Sequence, residues 1–556
     1  MTTIQKLMNM RHYLSRLEEV VRKHWDDKAL ANFNGESFTF GEMAAEVAKF
    51  HVLFGSMGIR KGDKVALCAR NSARWAVCFL AANTYEAVVV PILADFHPES
   101  INSLVDHSES RLLFTDTDLW KKLDAAKMPL LETAVSVNDF SLLYSRSGDA
   151  EAAFAGLDQA FSGKYPGGFS PQDVSYPVGN DKDIALINYT SGTTSAPKGV
   201  MIRYDSLSSN IEFGLDNMPC SPGDNIVSML PMAHMYGMVF EFLYPICGGV
   251  TINYLGKTPT PALLLGAMAA LKPYLVITVP LVMEKIFKSS VQPVLKKPLV
   301  KVMTHIPLLN RIIYRKIHDR LMSAFGGQVR CLIMGGAALN PEVEAWFKKF
   351  RLPFTVGYGM TEGAPLFGYA PWDEFVPHSC GRKVDRIEVR IDSVDPVNVV
   401  GEIQVKGTNV MEGYYKNPEA SAAAFTSDGW LRTGDLGVID RAGNIFIRGR
   451  SKNMILSSNG QNIYPEELEA VLNNQPYVVE SLVVDRGTRL VGLVYLDREK
   501  MEKDGIAGDA VDEYLKPVLA AVNKDLPSYS KIARLEVMDR PFEKTPKMSI
   551  RRFLYK

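Results

Sequence analysis

Cysteine chemistry is nearly absent from this chain of 556 residues. Its six cysteines, Cys68, Cys78, Cys220, Cys247, Cys331 and Cys380, form no C-x-x-C pair and stand beside no histidine cluster. A disulfide framework and a zinc site are both disfavoured, and a reducing cytoplasm fits best. Net charge is missing too, since 62 lysines and arginines balance 62 aspartates and glutamates. No global field favours nucleic acid or another highly charged partner, so any charged ligand has to be caught locally. Internal repeats and low-complexity tracts are also lacking, and the chain is expected to fold throughout.

An uninterrupted apolar run long enough for a bilayer is lacking as well. The most apolar long stretch, 229–250, is broken by Pro231, His234, Glu241 and Pro245. The first 21 residues interleave Ile4, Leu7, Met8, Leu14, Leu17 and Val21 with Lys6, Arg11, Arg16, Glu18 and Glu19, the pattern of an amphipathic helix rather than a secretory signal. A soluble or membrane-peripheral protein is expected.

What the chain does have is length and rhythm. Single cores stop growing near roughly 250–300 residues, so at least two domains are expected. Residues 64–69 read as a strand, 73–85 as a helix and 87–92 as a strand. The same alternation returns at 184–189, 225–230, 275–279 and 329–334, each run followed by turn residues and then a helical pattern. The fold class is therefore α/β, with a large, mostly parallel N-terminal body of several subdomains. After Gly381 the texture changes to short strands around 387–391, 401–407 and 444–450, a β-rich subdomain. Beyond Arg450 a helix at 465–473, paired strands at 478–484 and 490–496 and a helix at 510–526 form a small, mobile α+β domain. About a hundred residues suffice for one. The expected boundaries are 1–450 and 451–556.

Strand 184–189 runs into Thr190, Ser191, Gly192, Thr193, Thr194, Ser195, Ala196, Pro197, Lys198 and Gly199. Small residues let backbone N–H groups approach an anion, four hydroxyls add donors, and Lys198 supplies positive charge. The order is not that of a Walker A loop, so a different phosphate cradle is required. A plain Ser/Thr-rich surface turn is the competing reading for a random cluster, and the specific order T-S-G-T-T-x-x-P-K-G argues against it.

On this loop the chain resembles the adenylate-forming superfamily, which includes acyl-CoA synthetases, luciferases and the adenylation domains of peptide synthetases. The resemblance covers nearly the whole chain, with Ser195 standing where most members carry glycine. It implies ATP as a reactant, Mg²⁺ as its cofactor and coenzyme A as the acceptor. Gly335, Gly336 and Ala337, and the run Gly357, Tyr358, Gly359, Met360, Thr361 and Glu362, place glycine-rich turns after apolar strands, where open α/β sheets bind ligands. By resemblance they cradle adenine and the α-phosphate, with Tyr358 as a stacking platform, Thr361 as a phosphate contact and Glu362 as a Mg²⁺ ligand. Core packing for Tyr358 and a solvated carboxylate for Glu362 are the alternatives.

The string 428–435 precedes an expected hairpin whose return strand leads to Arg450, and by resemblance Asp435 accepts the ribose hydroxyls while Arg450 assists. The segment 231–237 matches P-x-x-H-x-x-G, which puts His234 beside the acyl pocket and phosphates; a buried structural histidine is the alternative. Met229, Met232, Met235 and Met238 suit either a pliable acyl site or plain core. Lys452 falls at the family's hinge, and 457–465, with Ser458, Gly460 and Gln461, resembles the loop that meets the thiol acceptor.

The C-terminus departs from the family. Its pattern near K-T-x-x-G-K-I-x-R is met by 544–552, but Ser549 occupies the catalytic lysine position and Met548 that of glycine. Lys547 lies two residues earlier; on an extended path it projects to the same side, displaced by about 7 Å. It either compensates as a catalytic residue or is a solvated lysine in a chain that adenylates slowly or not at all.

The expected activity is that of an AMP-forming fatty acid–CoA ligase, since the Trp430 motif and 410–418 look like that branch. An aryl-acid or carrier-protein ligase and a nucleotide- or lipid-binding homologue without catalysis are the rival readings. Residues 285–321 interleave nine lysines and arginines with apolar side chains, which suits either a solvated helical face or peripheral contact with an anionic membrane at its inner face. No pattern encodes an oligomeric state.

Overall fold

Short runs dense in β-branched residues, such as Val88–Pro91 and Leu275–Thr278, form strands in which every residue is buried. That is the signature of parallel strands covered on both faces. The computed structural model describes residues 10–190, 197–256, 260–456, 461–487, 489–508, 510–524, 526–527, 530–544 and 550–555. Its strands assemble an α/β body around two large sheets rather than one. The first has eight strands, in the order Gly413–Tyr414, Lys198–Arg203, Ile184–Thr190, Val88–Pro91, Lys64–Cys68, Ser110–Thr115, Thr133–Ser136 and Leu142–Ser145. The second has seven: Phe354–Val356, Cys331–Met334, Leu275–Thr278, Asn225–Ser228, Thr251–Tyr254, Lys28–Asn32 and Ser37–Thr39. Both are parallel in the middle and antiparallel only toward their ends.

One expected βαβ step fails. Strand Ile184–Thr190 is followed not by a helix but by strand Lys198–Arg203, which returns antiparallel with Thr190 opposite Lys198. The apolar alternation in Gly199, Val200 and Ile202 is that of a strand, and the helix begins only at Tyr204–Asn217. Thr190 and Lys198, which flank the loop's undescribed residues, are thus cross-strand partners.

Helices between the sheets are buried nearly all round. In Ala73–Thr84, capped by the Ser72 hydroxyl, every residue except Arg74 is buried. Trp75 stacks on Phe79 at 5.6 Å and meets Phe242 edge-on at 6.3 Å. The central helix Tyr204–Asn217 also buries Ser206, Ser208, Ser209 and Asn210. Its Asn210 side chain accepts from the Leu366 N–H at 3.1 Å, which ties it to the strand Leu366–Tyr369. The N-terminal amphipathic pattern appears as helix Tyr13–Lys23, with residues 1–9 outside the described set. Its apolar face is core: Tyr13, Leu14, Leu17 and Val21 are fully buried, and Arg16 pairs with Glu212 at 2.6 Å.

After Gly381 a four-stranded antiparallel sheet runs Ile387–Asp392, Gly401–Gly407, Leu431–Ile439 and Ile445–Arg450. The string 428–435 does not precede this hairpin, as expected; its second half lies within the first strand. Beyond Asn453, helices Pro465–Asn473 and Ala510–Lys524 cover a sheet of Val478–Asp485, Leu490–Leu496 and Ile532–Met538. This small α+β unit has a core cluster of its own, including Leu468, Leu472, Val494 and Val522. Among the described residues, no helix is long and apolar enough to cross a membrane.

Truncating Trp75 to alanine removes the largest wholly buried side chain at the junction of the two sheets. Trp75→Ala is expected to cost about 3–5 kcal/mol, read as a lower urea midpoint with the slope unchanged.

Candidate active site

The candidate residues collect at the carboxyl ends of strands from both large sheets. Thr190 ends one strand of the first sheet, and Gly335, Gly357 and His234 follow strands Cys331–Met334, Phe354–Val356 and Asn225–Ser228 of the second. Residues 191–196 lie outside the described set, so Ser191, Gly192, Thr193 and Thr194 are not located. Their flanks are: the Thr190 hydroxyl sits 3.5 Å from the Lys198 carbonyl, and the Lys198 ammonium lies 4.8 Å from the centre of the Tyr414 ring, within cation–π range.

Tyr414 joins this hairpin to the turn Thr361–Gly363. Strand Gly413–Tyr414 pairs with strand Lys198–Arg203, and the Tyr415 N–H donates to the Gly199 carbonyl at 2.7 Å. The Tyr414 hydroxyl donates to Glu362 Oε1 at 3.0 Å, and the Met411 N–H donates to the Glu362 carbonyl at 2.9 Å. Glu362 and Thr361 are buried in the short turn Thr361–Gly363. Burial, with the Glu362 carboxylate beside it, pushes the Tyr414 hydroxyl well above its ordinary pKa. Sequence reasoning did not single out Tyr414.

Backbone crowding requires a glycine at position 359. A Cβ on Gly359 would lie 1.8 Å from the Pro365 carbonyl oxygen, and one on Gly335 would lie 3.0 Å from the Tyr236 ring. Gly336 has φ +85° and is exposed with Ala337 beside it. Tyr358 is buried, its ring packed edge-on against Phe367 at 5.7 Å. Its hydroxyl donates to Asp435 Oδ2 at 2.8 Å.

Asp435 owes its place to an irregularity in its strand. Between Arg432, opposite Gln404, and Leu436, opposite Glu402, the strand carries extra residues. They are absorbed by Gly434 at φ +69°, a left-handed conformation glycine adopts without strain. The Thr433 hydroxyl donates to the Ile403 carbonyl at 2.7 Å and accepts from the Asp435 N–H at 3.1 Å. The bulge aims the Asp435 carboxylate inward, where it is 3% exposed. Arg450, its cross-strand partner, places Nε 2.7 Å from Oδ1. Burial raises the Asp435 pKa, and Arg450 and the Tyr358 hydroxyl act against that rise. The carboxylate is an acceptor with one charged and one neutral donor already on it.

His234 caps the short helix Met235–Gly237 at the end of a turn held from three sides. The Asn71 side chain accepts from the Met232 N–H at 2.9 Å and donates to the Leu230 carbonyl at 2.7 Å. Asn188, from the strand leading to Thr190, donates to the Ala233 carbonyl at 2.8 Å. Glu241, wholly buried, accepts from the Leu230 N–H at 2.9 Å, the Met229 N–H at 3.0 Å and the Ser228 hydroxyl at 3.1 Å. Burial pushes the Glu241 carboxyl up to about 8 against these donors. Asn71 and Asn188 were not singled out from sequence, and Glu241 only as an interruption of the apolar stretch 229–250; for Asn188 and Glu241 the one signal available is a polar side chain inside an apolar run. Met232, Met235 and Met238 are fully or nearly fully buried among core side chains, and Met229 packs on the second core, so the methionine run is core.

The remaining candidates lie apart or beyond view. Lys452 is exposed in the turn Ser451–Asn453, and Gln461 is exposed just before Asn462–Ile463. Ser458, Gly460 and Lys547 lie outside the described residues. On either side of 545–549, Lys544 and Ile550 form an antiparallel bridge, and Lys544 pairs with Glu480. Among the described residues no cluster of three or more His, Cys, Asp or Glu side chains forms a metal cage.

Comparison with known proteins gives a consistent picture. The family described as AMP-binding enzyme matches residues 17–415, and that described as AMP-binding enzyme C-terminal domain matches residues 452–555. The chain is 26% identical over 491 residues to long-chain-fatty-acid–CoA ligase FadD15 of Mycobacterium bovis, covering 84% of this chain and 78% of that protein. It is 28% identical over 518 residues to the peroxisomal long chain acyl-CoA synthetase 6 of Arabidopsis thaliana, covering 86% of this chain and 72% of that one. The solved structure of the anthranilate CoA ligase AuaEII in complex with anthranoyl-AMP aligns with a TM-score of 0.79 at 18% identity, covering 98% of this chain and 96% of that one. At that identity the likeness is one of fold.

The Glu241 anchor carries a signed pH dependence. With its pKa raised from 4.5 to about 8, the folded chain holds a proton that the unfolded chain has lost, so this carboxyl subtracts stability as pH rises through that window. Glu241→Gln, which mimics the protonated acid, should unfold at the same temperature as the parent near the bottom of the window. It should gain on the parent by up to a few kcal/mol at the top, in parallel thermal melts.

Proposed function

The chain belongs to the AMP-binding enzyme family, and on that premise we propose that it is an ATP-dependent fatty acid–CoA ligase working through an acyl-AMP. The observation that supports the reading is a pair of contact clusters, Lys198–Tyr414–Glu362 and Tyr358–Asp435–Arg450, built on the residues that the family resemblance names. The names of the matched long-chain relatives support the acyl-CoA branch, and the Trp430 and 410–418 strings favour a fatty acid.

In the first half-reaction the substrate carboxylate oxygen attacks the α-phosphorus of ATP. A new P–O bond forms, the α–β bridging P–O bond breaks, and pyrophosphate leaves with the electron pair. Lys198 and the loop residues Thr190, Ser191, Gly192, Thr193 and Thr194 hold the leaving phosphates; Thr361 holds the α-phosphate. Gly335, Gly336, Ala337, Gly357 and Gly359 leave room for the base, which Tyr358 flanks, and Asp435 accepts the ribose hydroxyls with Arg450 alongside. His234 lies beside the reacting carboxylate. Positioning and charge neutralisation do most of this work. A single buried carboxylate at Glu362 suits Mg²⁺, which takes one or two protein carboxylates and completes its shell with phosphate oxygens and water. The ion supplies charge neutralisation at the phosphates when bound.

In the second half-reaction the coenzyme A thiol attacks the acyl carbonyl, the C–O bond to AMP breaks, and AMP leaves. The reading divides the chain into 1–450 and 451–556, pivoting at Lys452, with Ser458, Gly460 and Gln461 facing the thiol. A separate core cluster beyond Asn453 supports that division. In the first half-reaction, Lys547 stabilises the charge that develops as the adenylate forms, in place of the family lysine, whose position Ser549 occupies. The reading is of a cytoplasmic enzyme, peripheral to the inner membrane face. The likeness to an anthranilate ligase keeps an aryl acid as the second reading.

Pyrophosphate release measured against a panel of fatty and aryl acids decides among these readings. Release with fatty acids alone is expected; release with aryl acids moves the substrate class, and release with none removes the ligase. In ATP–pyrophosphate exchange, Asp435→Ala is expected to raise the KM for ATP about 10- to 100-fold, the loss of hydrogen bonds to a charged acceptor. Lys547→Ala is expected to lower the exchange rate; an unchanged rate removes Lys547 from the chemistry.

A further inference from the structure

The segment that leaves strand Leu275–Thr278 carries a surface that the reaction does not use. Helices Pro298–Thr304 and Leu309–Ala324 pack inward through Val300, Met303, Ile313 and Ile317, which join the second core. Their outer faces are apolar as well. Leu299 is 72% exposed, Val302 60%, Ile306 42%, Leu308 70% and Ile312 50%. Monomeric surfaces rarely gather apolar side chains in this way without a partner. Leu308 also sits at φ 72° at the start of its helix. A bulky residue held in the left-handed region is strained, and strain of this kind persists where the surroundings impose it and often where function uses it.

The charge around these side chains names the partner. Lys301, Arg311, Arg315 and Lys316 are exposed on the same two helices, and Lys296 and Lys297 just before the first. Across 285–321, Asp319 is the one acidic residue against nine basic ones. It lies 4.0 Å from Arg315, the one ion pair this basic set makes among the described residues. Basic ammonium and guanidinium groups interleaved with protruding aliphatics match an anionic lipid surface, where the former meet headgroups and the latter enter the acyl boundary. A nucleic-acid backbone would use the charges and leave five aliphatic side chains in water, and a plain solvated face would carry no exposed leucines at its turn. The position fits too. Thr278 lies opposite Met334 in register, so the segment leaves the sheet at the end where Gly335 and Gly336 lie.

The geometry points to 296–316 as a docking surface for an anionic lipid bilayer, seated through Leu299, Val302, Leu308 and Ile312 and the surrounding lysines and arginines. This assignment holds independently of the ligase reading. The test is co-sedimentation of the full chain with vesicles of phosphatidylcholine alone and of phosphatidylcholine with phosphatidylglycerol, at low and high salt. Binding is expected only to the anionic vesicles, weakened by salt and by about fivefold for each charge removed among Lys297, Lys301 and Arg311. A Leu299→Ser/Leu308→Ser variant should lose anionic binding while melting at or above the parent temperature, because both side chains are exposed in the free protein. No sedimentation with either vesicle, equal binding to both, or variants that bind like the parent would overturn the assignment. So would binding of a DNA duplex in preference to vesicles, or a dimer in analytical ultracentrifugation that the same variants abolish while vesicles remain unbound.

Discussion

Five consecutive residues, 411–415, hold the cleft together. Their backbone pairs with strand Lys198–Arg203 on one side, and on the other Met411 and Tyr414 grip the main chain and carboxylate of Glu362. That seam ties strand Lys198–Arg203 of the first sheet to the turn Thr361–Gly363 that bears Glu362. Phosphate chemistry needs a cation and a carboxylate at a set distance, and rigid backbone pairing supplies this more reliably than two flexible side chains. The same logic recurs at Asn188, whose amide links the strand before the glycine-rich loop to the turn bearing His234.

Burial sets the electrostatics of this cleft. Asp435 and Glu241 are both removed from water, and desolvation raises both, but their surroundings differ in kind. Asp435 has the Arg450 guanidinium beside it and a phenol aimed at it, so its charge is supported. Glu241 has only backbone N–H groups and a serine hydroxyl, so it is a structural acid that pins a turn. Two carboxylates in one protein thus acquire different roles from whether a cation accompanies them.

The outer helices of 296–316 show the opposite economy. Where the cleft buries polar groups with partners, this surface exposes apolar groups among charges. The proposed partners match this difference: a nucleotide for the buried polar groups and a lipid surface for the exposed apolar ones.

By itself the sequence determined the alternation of strands and helices, because 2.0- and 3.6-residue periodicities report which face of each element is buried. It also determined the glycines of the cleft, which backbone crowding at Gly359 and the left-handed turn at Gly434 require. Only the tertiary structure decided that a strand, Lys198–Arg203, rather than a helix follows Ile184–Thr190, that the methionine run is core and that Tyr414, Asn71, Asn188 and Glu241 anchor the site. The contacts responsible join residues 52 apart for Tyr414 and Glu362 and 161 apart for Asn71 and Met232. Local pattern carries the burial of a segment but not the identity of what buries it, since that choice is made when distant surfaces meet.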